Sequence, residues 1–228
     1  MAVALTAVGA GGYAVLRDEG NSGQAPIKPD AARKTDVATP IAAAAITPPV
    51  EDRAALERQF QDAVQALTAN DPVGIDKLKA VANQGYAPAQ FRLGRIYDGE
   101  EGFSGITPDK TQARLWTQRA AEGGVSRAMH NLGLMYYAGD GGQPDRGQAA
   151  TWFRRAAERG IVDSQYNLGI MYREGIGVTL NPTEAYKWLL IAEAGGDKEA
   201  AQAVADLKAE LSAPQRRIAE FRPTGFRR

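Results

Sequence analysis

The sequence has no cysteine and only one histidine, His130, among its 228 residues. Without cysteine the chain can form no disulfide bond, no thiolate metal site and no cysteine nucleophile. A metal site built from several histidines is excluded in the same way. No motif pairs a nucleophile with a base, so we expect no catalytic residues, no metal and no cofactor.

The chain also has no net charge, because 27 basic side chains balance 27 acidic ones. Proteins that bind nucleic acids usually show a basic excess, so the composition does not favour a nucleic acid as the partner. Hydrophobic residues make up 44% and charged residues 24% of the chain. These are ordinary values for a globular protein with a sizeable core.

A long apolar run is missing from the N-terminal region. The run Met1–Leu16 is uncharged but ends at Arg17, and a membrane-spanning helix needs about 20 apolar residues. The positive start of a secretory signal is absent as well. Three interpretations of residues 1–17 stay open: the distal end of a transmembrane helix that begins outside this chain, an atypical signal or anchor segment, or a buried segment. The first two predict a periplasmic protein, tethered to the inner membrane or, alternatively, soluble in the periplasm.

Residues 18–50 have the composition of a linker. They are rich in alanine, threonine and aspartate and contain five prolines. Such a segment buries too little apolar surface to offset the entropy lost on ordering, and proline keeps it extended. We predict a disordered linker that holds a folded module away from the N-terminal segment.

The chain repeats itself. The stretch NLGLMYYAGDGG at 131–142 returns as NLGIMYREGIGV at 167–178, 36 residues later. Gly94, Gly133 and Gly169 are spaced by 39 and 36 residues, which places three extra residues in the first connecting loop. Repeats of this period indicate a solenoid. The same 36-residue interval separates three sets of residues: Trp116, Trp152 and Trp188; Ala113, Ala149 and Ala185; Gly124, Gly160 and Gly196.

Each unit is predicted to hold two helices, because apolar residues recur at the spacing of one helix face. No sustained alternation of apolar and polar residues occurs, so we predict no strands. The expected fold is all-α: a right-handed α-solenoid of antiparallel helix pairs, with about three repeats and capping helices over residues 51–212. A basic tail follows at 213–228. The first-helix stripes are Leu93, Ile96 and Tyr97; Leu132, Met135 and Tyr136; and Leu168, Met171 and Tyr172.

Helix boundaries and contacts are predicted from individual residues. Glycine inside a helix costs about 1 kcal/mol, so its recurrence in every first helix predicts close contact with another helix. Helix starts are predicted at Asn181-Pro182, at Thr107-Pro108 and at Ser126. Helix ends are predicted just before four glycines that favour a left-handed backbone, Gly85, Gly124, Gly160 and Gly196.

The pattern A-x-x-x-L-G-x-x-Y-x-x-G-x-G, followed by A-x-x-W-x-x-x-A-A-x-x-G, resembles the Sel1-like repeat, a relative of the tetratricopeptide repeat. The resemblance spans roughly residues 85–197. Unit three departs from it by placing Ser164 at the small alanine. The matching positions in units two and three are Ala128, Leu132, Gly133, Tyr136, Gly139, Ala149, Trp152, Ala156, Ala157, Gly160, Leu168, Gly169, Tyr172, Gly175, Gly177, Ala185, Trp188, Ala192 and Gly196.

The layout of apolar segment, linker and repeats is also similar to the periplasmic Sel1-like part of bacterial polar-organelle development and localisation scaffolds. This resemblance implies a membrane-tethered, non-enzymatic scaffold for protein–protein interactions, acting in polar localisation or in cell-envelope signalling. Two alternatives stay open. One is a soluble periplasmic regulator of a sensor kinase, and the other is a protein that binds or hydrolyses peptidoglycan. The Sel1-like proteins linked to such hydrolysis are rich in cysteine, which this chain lacks.

Helical solenoids present an extended concave groove to their partners. We predict that a protein partner or, alternatively, peptidoglycan contacts the variable positions of the first helices. Asn131 and Asn167 are predicted to bind an extended backbone or to contact the neighbouring repeat. Acidic residues in the connecting loops fit no calcium-binding loop and are interpreted as solvated: Glu100, Glu101, Asp109, Asp140 and Asp145. The predicted groove residues are Gln90, Arg95, His130, Asn131, Tyr137, Tyr166, Asn167 and Arg173.

Overall fold

The computed structural model describes residues 2–5, 16–19, 50–101 and 106–220. The predicted helix pairs of the three repeats are present as α3 to α8, with two further helices on either side of them. The helices are α1 Val50–Thr68, α2 Val73–Asn83, α3 Ala87–Asp98, α4 Lys110–Glu122, α5 Ser126–Ala138, α6 Arg146–Glu158, α7 Val162–Glu174, α8 Pro182–Ala194, α9 Lys198–Glu210 and α10 Ala213–Glu220.

The helices form a linear stack. Each helix from α2 to α8 packs against the helix before it and the helix after it, and α10 folds back onto α8. The buried side chains follow one another along this stack in four clusters, from Leu56 at one end to Ala219 at the other. Contact between neighbouring units is the mark of a solenoid. The predicted all-α solenoid is therefore confirmed for residues 50–220.

The glycine inside each first helix lies against the second helix of the same unit, as predicted. A Cβ on Gly133 would lie 2.7 Å from two ring atoms of Phe153, and one on Gly169 would lie 2.7 Å from Cγ of Leu189. In unit one, Gly94 faces Thr117 in the same way. The facing residue is in each case the one that follows the repeated tryptophan. The repeat therefore encodes a fixed contact between the two helices of a unit.

Glycines in the connecting loops make a second kind of contact, between units. A Cβ on Gly141 would collide with the backbone oxygen of Lys110, and one on Gly177 would collide with the backbone oxygen of Arg146. Each loop thus rests on the first turn of the second helix of the preceding unit. Only glycine allows this approach, and both residues also have a positive φ.

Three aspartate or asparagine residues cap the second helices, again at 36-residue intervals. The Oδ1 atoms of Asp109, Asp145 and Asn181 accept hydrogen bonds from backbone N–H groups in the first turns of α4, α6 and α8. The predicted start at Asn181 is confirmed, and the predicted cap at Thr107-Pro108 is wrong. Ser126 does begin α5, but the N-cap position belongs to Val125, and no side chain caps this helix.

The N-terminal segment contains two strands, so the prediction that the chain has none is wrong there. Strands β1 (Ala2–Leu5) and β2 (Leu16–Glu19) pair in antiparallel register, with Ala2 opposite Glu19. The apolar run Met1–Leu16 is shorter than a membrane-spanning helix needs, and β2 continues beyond it into Arg17, Asp18 and Glu19. Residues 6–15 and the predicted linker at 20–49 lie outside the described residues. In the described part of the chain, no helix is both long and apolar enough to cross a membrane.

The segment at 213–228, predicted as a basic tail, begins with the helix α10. Helix α10 packs against α8 and buries Ala219. The guanidinium of Arg216 donates a hydrogen bond of 3.1 Å to the backbone oxygen of Lys208 in α9. Part of the predicted tail therefore belongs to the C-terminal cap, and residues 221–228 lie outside the described residues.

Candidate partner-binding surface

Most of the predicted groove residues are buried. In α5 every residue from Ala128 to Met135 is buried, and in α7 every residue from Ser164 to Met171 is buried. Eight consecutive residues span more than two helical turns, so both helices have neighbours on every side there. The exposed fractions of the six buried groove candidates are Gln90 7%, His130 2%, Asn131 9%, Tyr137 3%, Tyr166 8% and Asn167 0%.

Burial contradicts the exposure that a groove contact requires at these six positions. From the sequence they were assigned to a concave groove, with contact to the neighbouring repeat as the alternative for Asn131 and Asn167. A polar side chain can be buried when it finds a hydrogen-bond partner. Substitution of Asn131 or Asn167 would therefore test the packing of the module. Partner binding at Arg95 and Arg173, which are partly exposed, stays a prediction.

His130 joins repeats two and three. Its Nδ1 atom lies 2.7 Å from the hydroxyl oxygen of Ser164, the residue that departs from the repeat pattern, and its ring packs 5.8 Å from the Phe153 ring, centroid to centroid. Burial lowers the pKa of His130 to about 4, the charge of Asp163 opposes this shift, and that of Arg127 adds to it. The imidazole is therefore neutral at pH 7.

The contact of His130 with Ser164 resembles the start of a nucleophile–base pair, but it is not accessible. Ser164 has no exposed surface and His130 has 2%. A nucleophile must reach the substrate and needs a base that is itself oriented by a third group. The pair is instead a buried polar contact between units, in which each group satisfies the other.

Gln90 has a structural role that unit three repeats. Its Nε2 donates a hydrogen bond of 3.0 Å to the backbone oxygen of Ala82, near the end of the preceding helix. Gln165 donates in the same way to Ala157 at 3.1 Å, across the same eight-residue separation. The last carbonyls of a helix have no partner within that helix, so these amides satisfy them and connect successive units.

The two partly exposed arginines take part in local ion pairs. Arg95 contacts Glu100 at 2.7 Å and Glu101 at 2.8 Å, and Arg173 contacts Glu174 at 2.7 Å. Glu100 and Glu101 were interpreted as solvated loop acids, but they bind back to α3. Surface pairs of this kind contribute little to stability, and they reduce the charge available to a partner.

A shallow depression lies where the start of α7 meets the turn before α9. Its volume is about 450 Å³. Burial raises the pKa of the Asp197 carboxyl, which caps α9 through the N–H of Ala200. No group of three or more potential metal ligands occurs among the described residues. The lining residues are Val162, Asp163, Gly195, Gly196, Asp197, Lys198 and Glu199.

The second helices of units one and two, α4 and α6, carry exposed arginines that the sequence analysis did not identify as candidate contacts. Helix α6 is exposed at Thr151, Arg154, Arg155 and Glu158, which share one helix face. Five arginines of α4 and α6 lie over aromatic rings. Arg119 and Arg155 hold equivalent exposed positions on these two helices, and we call the surface around them the arginine–aromatic face. The distances from guanidinium carbon to ring centroid are 3.9 Å for Arg114–Tyr136, 4.5 Å for Arg119–Trp116, 3.9 Å for Arg146–Tyr137, 5.7 Å for Arg154–Tyr172 and 4.5 Å for Arg155–Trp152.

None of these five arginines forms an ion pair with a carboxylate among the residues that the structure describes. The surrounding charge is basic as well. Residues 106–161 carry eight basic and five acidic side chains, whereas 50–101 and 162–220 each carry six basic and nine acidic ones. The described module is therefore positive in its middle and negative on either side, although three arginines at 221–228 offset the acidic excess of 162–220 in the sequence. The 36-residue interval between Arg119 and Arg155 was the available signal in the sequence.

Comparison with known families agrees with this architecture. The family model described as the Sel1 repeat matches residues 87–125, 126–161 and 162–197. These ranges coincide with the helix pairs α3–α4, α5–α6 and α7–α8. The resemblance to the Sel1-like repeat is thus confirmed for the three central units. Proteins built from these repeats are generally interaction scaffolds that bind protein partners.

One characterised relative is the localization factor PodJL of Caulobacter vibrioides. It is 39% identical to this chain over 137 residues, covering 48% of this chain and 14% of the relative, and the protein from a second strain matches equally. The chain thus spans a small part of that protein's length.

Two solved structures have a similar fold. A Sel1 repeat protein from Oxalobacter formigenes aligns with a TM-score of 0.60 at 30% identity, over 67% of this chain and 45% of that one. The protective antigen c5321 of uropathogenic Escherichia coli, which displays an SLR fold, aligns with a TM-score of 0.61 at 29% identity, over 72% of this chain and 37% of that one. Both likenesses support the helical solenoid.

Proposed function

Because the chain carries three Sel1 repeats, we propose that it is a non-enzymatic scaffold that binds a protein partner, located in the periplasm and tethered to the inner membrane by its N-terminal segment. The proposal includes a role in polar localisation, by analogy with the localization factor that matches its repeats. The chain covers 14% of that relative, so the analogy concerns the repeat module.

One observation carries the scaffold proposal. The only histidine is buried against a buried serine, whereas the exposed side of α4 and α6 presents stacked arginines without carboxylate partners in the described structure. Arginine and aromatic residues are enriched at protein–protein interfaces. The module therefore offers a contact surface for a protein, and its buried polar groups serve its own packing.

Site-specific photo-crosslinking in cells tests the scaffold. A photoreactive amino acid is placed at Gln118 of α4 or Thr151 of α6, next to the proposed contact surface, and at Gln59 of α1 as the matched control. We expect a protein to be captured from the first two sites and not from Gln59. Capture of peptidoglycan alone, or of equal material from all three sites, would contradict a specific protein partner.

The location is tested in the native cells. An antibody against residues 50–220 detects the protein after fractionation, and protease is added to cells whose outer membrane has been permeabilised. We expect the protein in the membrane fraction and its module cleaved under these conditions. Recovery in the soluble fraction of the cytoplasm, protected from protease, would overturn the periplasmic and tethered part of the proposal.

A further inference from the structure

We infer that the arginine–aromatic face binds a short acidic segment of the protein partner. The inference rests on the proposed function, since it gives that partner a chemistry and a place on the module. It moves the contact surface from the first helices, where the sequence placed it, to the second helices of units one and two.

The stacked arginines are arranged to bind carboxylates. A guanidinium group presents a fork of N–H donors that matches a carboxylate in a bidentate pair, and the guanidinium carbons of Arg119 and Arg155 are held 4.5 Å from the ring centroids of Trp116 and Trp152. The attraction between guanidinium and ring restricts the long side chain before any ligand arrives. Less side-chain entropy is then lost on binding than for a freely rotating arginine.

The face is built by the repeat. Arg119 and Arg155 occupy equivalent positions, each three residues after the tryptophan that it covers. The C-terminal ends of α4 and α6 are tied together, because Nη1 of Arg159 donates a hydrogen bond of 2.6 Å to the backbone oxygen of Gly124. The fold therefore brings equivalent basic side chains of two neighbouring units onto one side of the stack.

Two further arginines lie over tyrosines of the following unit. Tyr136 and Tyr172 are equivalent residues of α5 and α7, and each is covered by an arginine of the preceding helix, Arg114 and Arg154. Arg154 also donates a hydrogen bond to the hydroxyl of Tyr172. These contacts hold the guanidinium groups at the junctions between units, where a segment that crosses the helices would pass.

The charge pattern favours a short acidic segment over a long polyanion. Two of the five acids at 106–161, Asp109 and Asp145, are engaged as helix caps, which leaves the basic side chains in excess. Residues 50–101 carry nine acidic and six basic side chains, so a nucleic acid that extended from the face towards α1–α3 would be repelled. Glu122 and Glu158, exposed on the same two helices, would limit which carboxylates of the segment can approach.

Fluorescence anisotropy on the full chain tests the inference. The probe is a labelled peptide of about 12 residues that alternates glutamate with serine and contains one leucine, because Leu115 is an exposed apolar residue of α4. The test variant is Arg119→Gln with Arg155→Gln. The matched control is Arg53→Gln with Arg58→Gln, which removes the same charge from exposed positions of α1. Circular dichroism confirms that both variants are folded.

We expect the test variant to bind the peptide at least about tenfold more weakly and the control to change by less than about twofold, because two charge-assisted contacts are lost only in the first. A second variant, Arg119→Lys with Arg155→Lys, should bind with intermediate affinity, since lysine keeps the charge but not the fork geometry. Equal binding by both double variants, or no binding by the wild-type chain, would overturn the inference.

Two further outcomes would also overturn it. Single-stranded DNA of similar length could bind more tightly than the peptide and compete for the same arginines, which would make the ligand a nucleic acid. The chain could also dimerise in a manner abolished by Arg119→Gln with Arg155→Gln, which would make a second copy the occupant. Capture of the same cellular protein by wild type and test variant would leave the scaffold proposal standing while the arginine–aromatic face is rejected.

Discussion

Helices α5 and α6 belong to the same repeat and have the same length, but they differ in what they expose. Eight consecutive residues of α5 are buried, polar ones included, whereas α6 leaves Thr151, Arg154, Arg155 and Glu158 open to solvent. The same contrast separates α7 from α4. The polar residues within the buried stretches of α5 and α7 are part of the packing, whereas the exposed polar residues of α4 and α6 are available to a partner.

The contrast between α5 and α6 is tested most strongly by placing a larger side chain in α5 at a position that has no free space. In Gly133→Leu the new side chain must displace the Phe153 ring, which already limits a single Cβ to 2.7 Å. Overpacking of this kind costs about 3 kcal/mol, so we expect a melting temperature lowered by well over 5 °C or an unfolded module.

The matched control is Ala138→Leu, at the exposed end of the same helix. Its melting temperature should stay close to that of the wild type. An unchanged melting temperature for Gly133→Leu would show that the close contact between α5 and α6 is absent.

Acid should destabilise the first-helix side through His130. The pKa of His130 in the folded chain is about 4, below the ordinary histidine pKa of 6.5, so the unfolded chain binds this proton more readily. The contribution of His130 is complete above pH 6.5 and is lost as the pH falls towards 4, by up to about 3 kcal/mol. Chemical denaturation at several pH values between 7 and 4 measures this loss.

Because His130 is the only histidine, one variant isolates its effect. His130→Tyr with Ser164→Ala gives unit two the tyrosine that unit three has at Tyr166, and restores the alanine of the repeat at 164. The carboxylates titrate in both proteins, so the difference between the two pH profiles reports His130. Identical profiles would refute the buried neutral imidazole.

Removal of a helix cap should have a smaller effect. Asp145→Ala leaves the N–H of Gln148 without the Oδ1 atom that accepts its hydrogen bond at 2.9 Å. Such a change costs about 1 kcal/mol, which urea denaturation can resolve. Asp62→Ala, at an exposed position of α1, serves as the control. A cost no greater than that of the control would argue against the cap.

The smallest effect is expected on the exposed side of the second helices. Arg155→Gln removes the guanidinium over Trp152 but no buried contact, so stability should fall by less than about 1 kcal/mol. The same denaturation measurement checks this value. A loss as large as that of Gly133→Leu would mean that α6 is as tightly built into the core as α5, and the contrast between the two helices would disappear.

Much of the fold was predictable because residues that recur at a fixed interval have the same structural role in each repeat. The 36-residue interval located the helix pairs, and a glycine recurring inside a helix indicated a close contact, which Phe153 and Leu189 make. The caps at Asp109 and Asp145 recur at the same interval as Asn181 but were interpreted as loop acids. Their role depends on backbone N–H groups that a residue pattern does not display.

The candidate site was predicted less well. The variable polar positions of α5 and α7 were assigned to a groove, because helical solenoids present a concave surface that their first helices line. That expectation fails when neighbours cover the helix on all sides and polar atoms such as His130 Nδ1 and Ser164 Oγ pair with each other. Stacking of arginine on a ring of another helix, as in Arg114 on Tyr136, was equally invisible.

The amino-acid sequence alone determined the number of repeats, the pairing of helices within them and the absence of cysteine chemistry, because these follow from residue identity and spacing along the chain. Only the tertiary structure decided which polar residues are buried, which acids cap helices and where arginines lie over aromatic rings. Those properties depend on which atoms of distant units meet, and for Arg159 and Gly124 that meeting joins residues 35 positions apart.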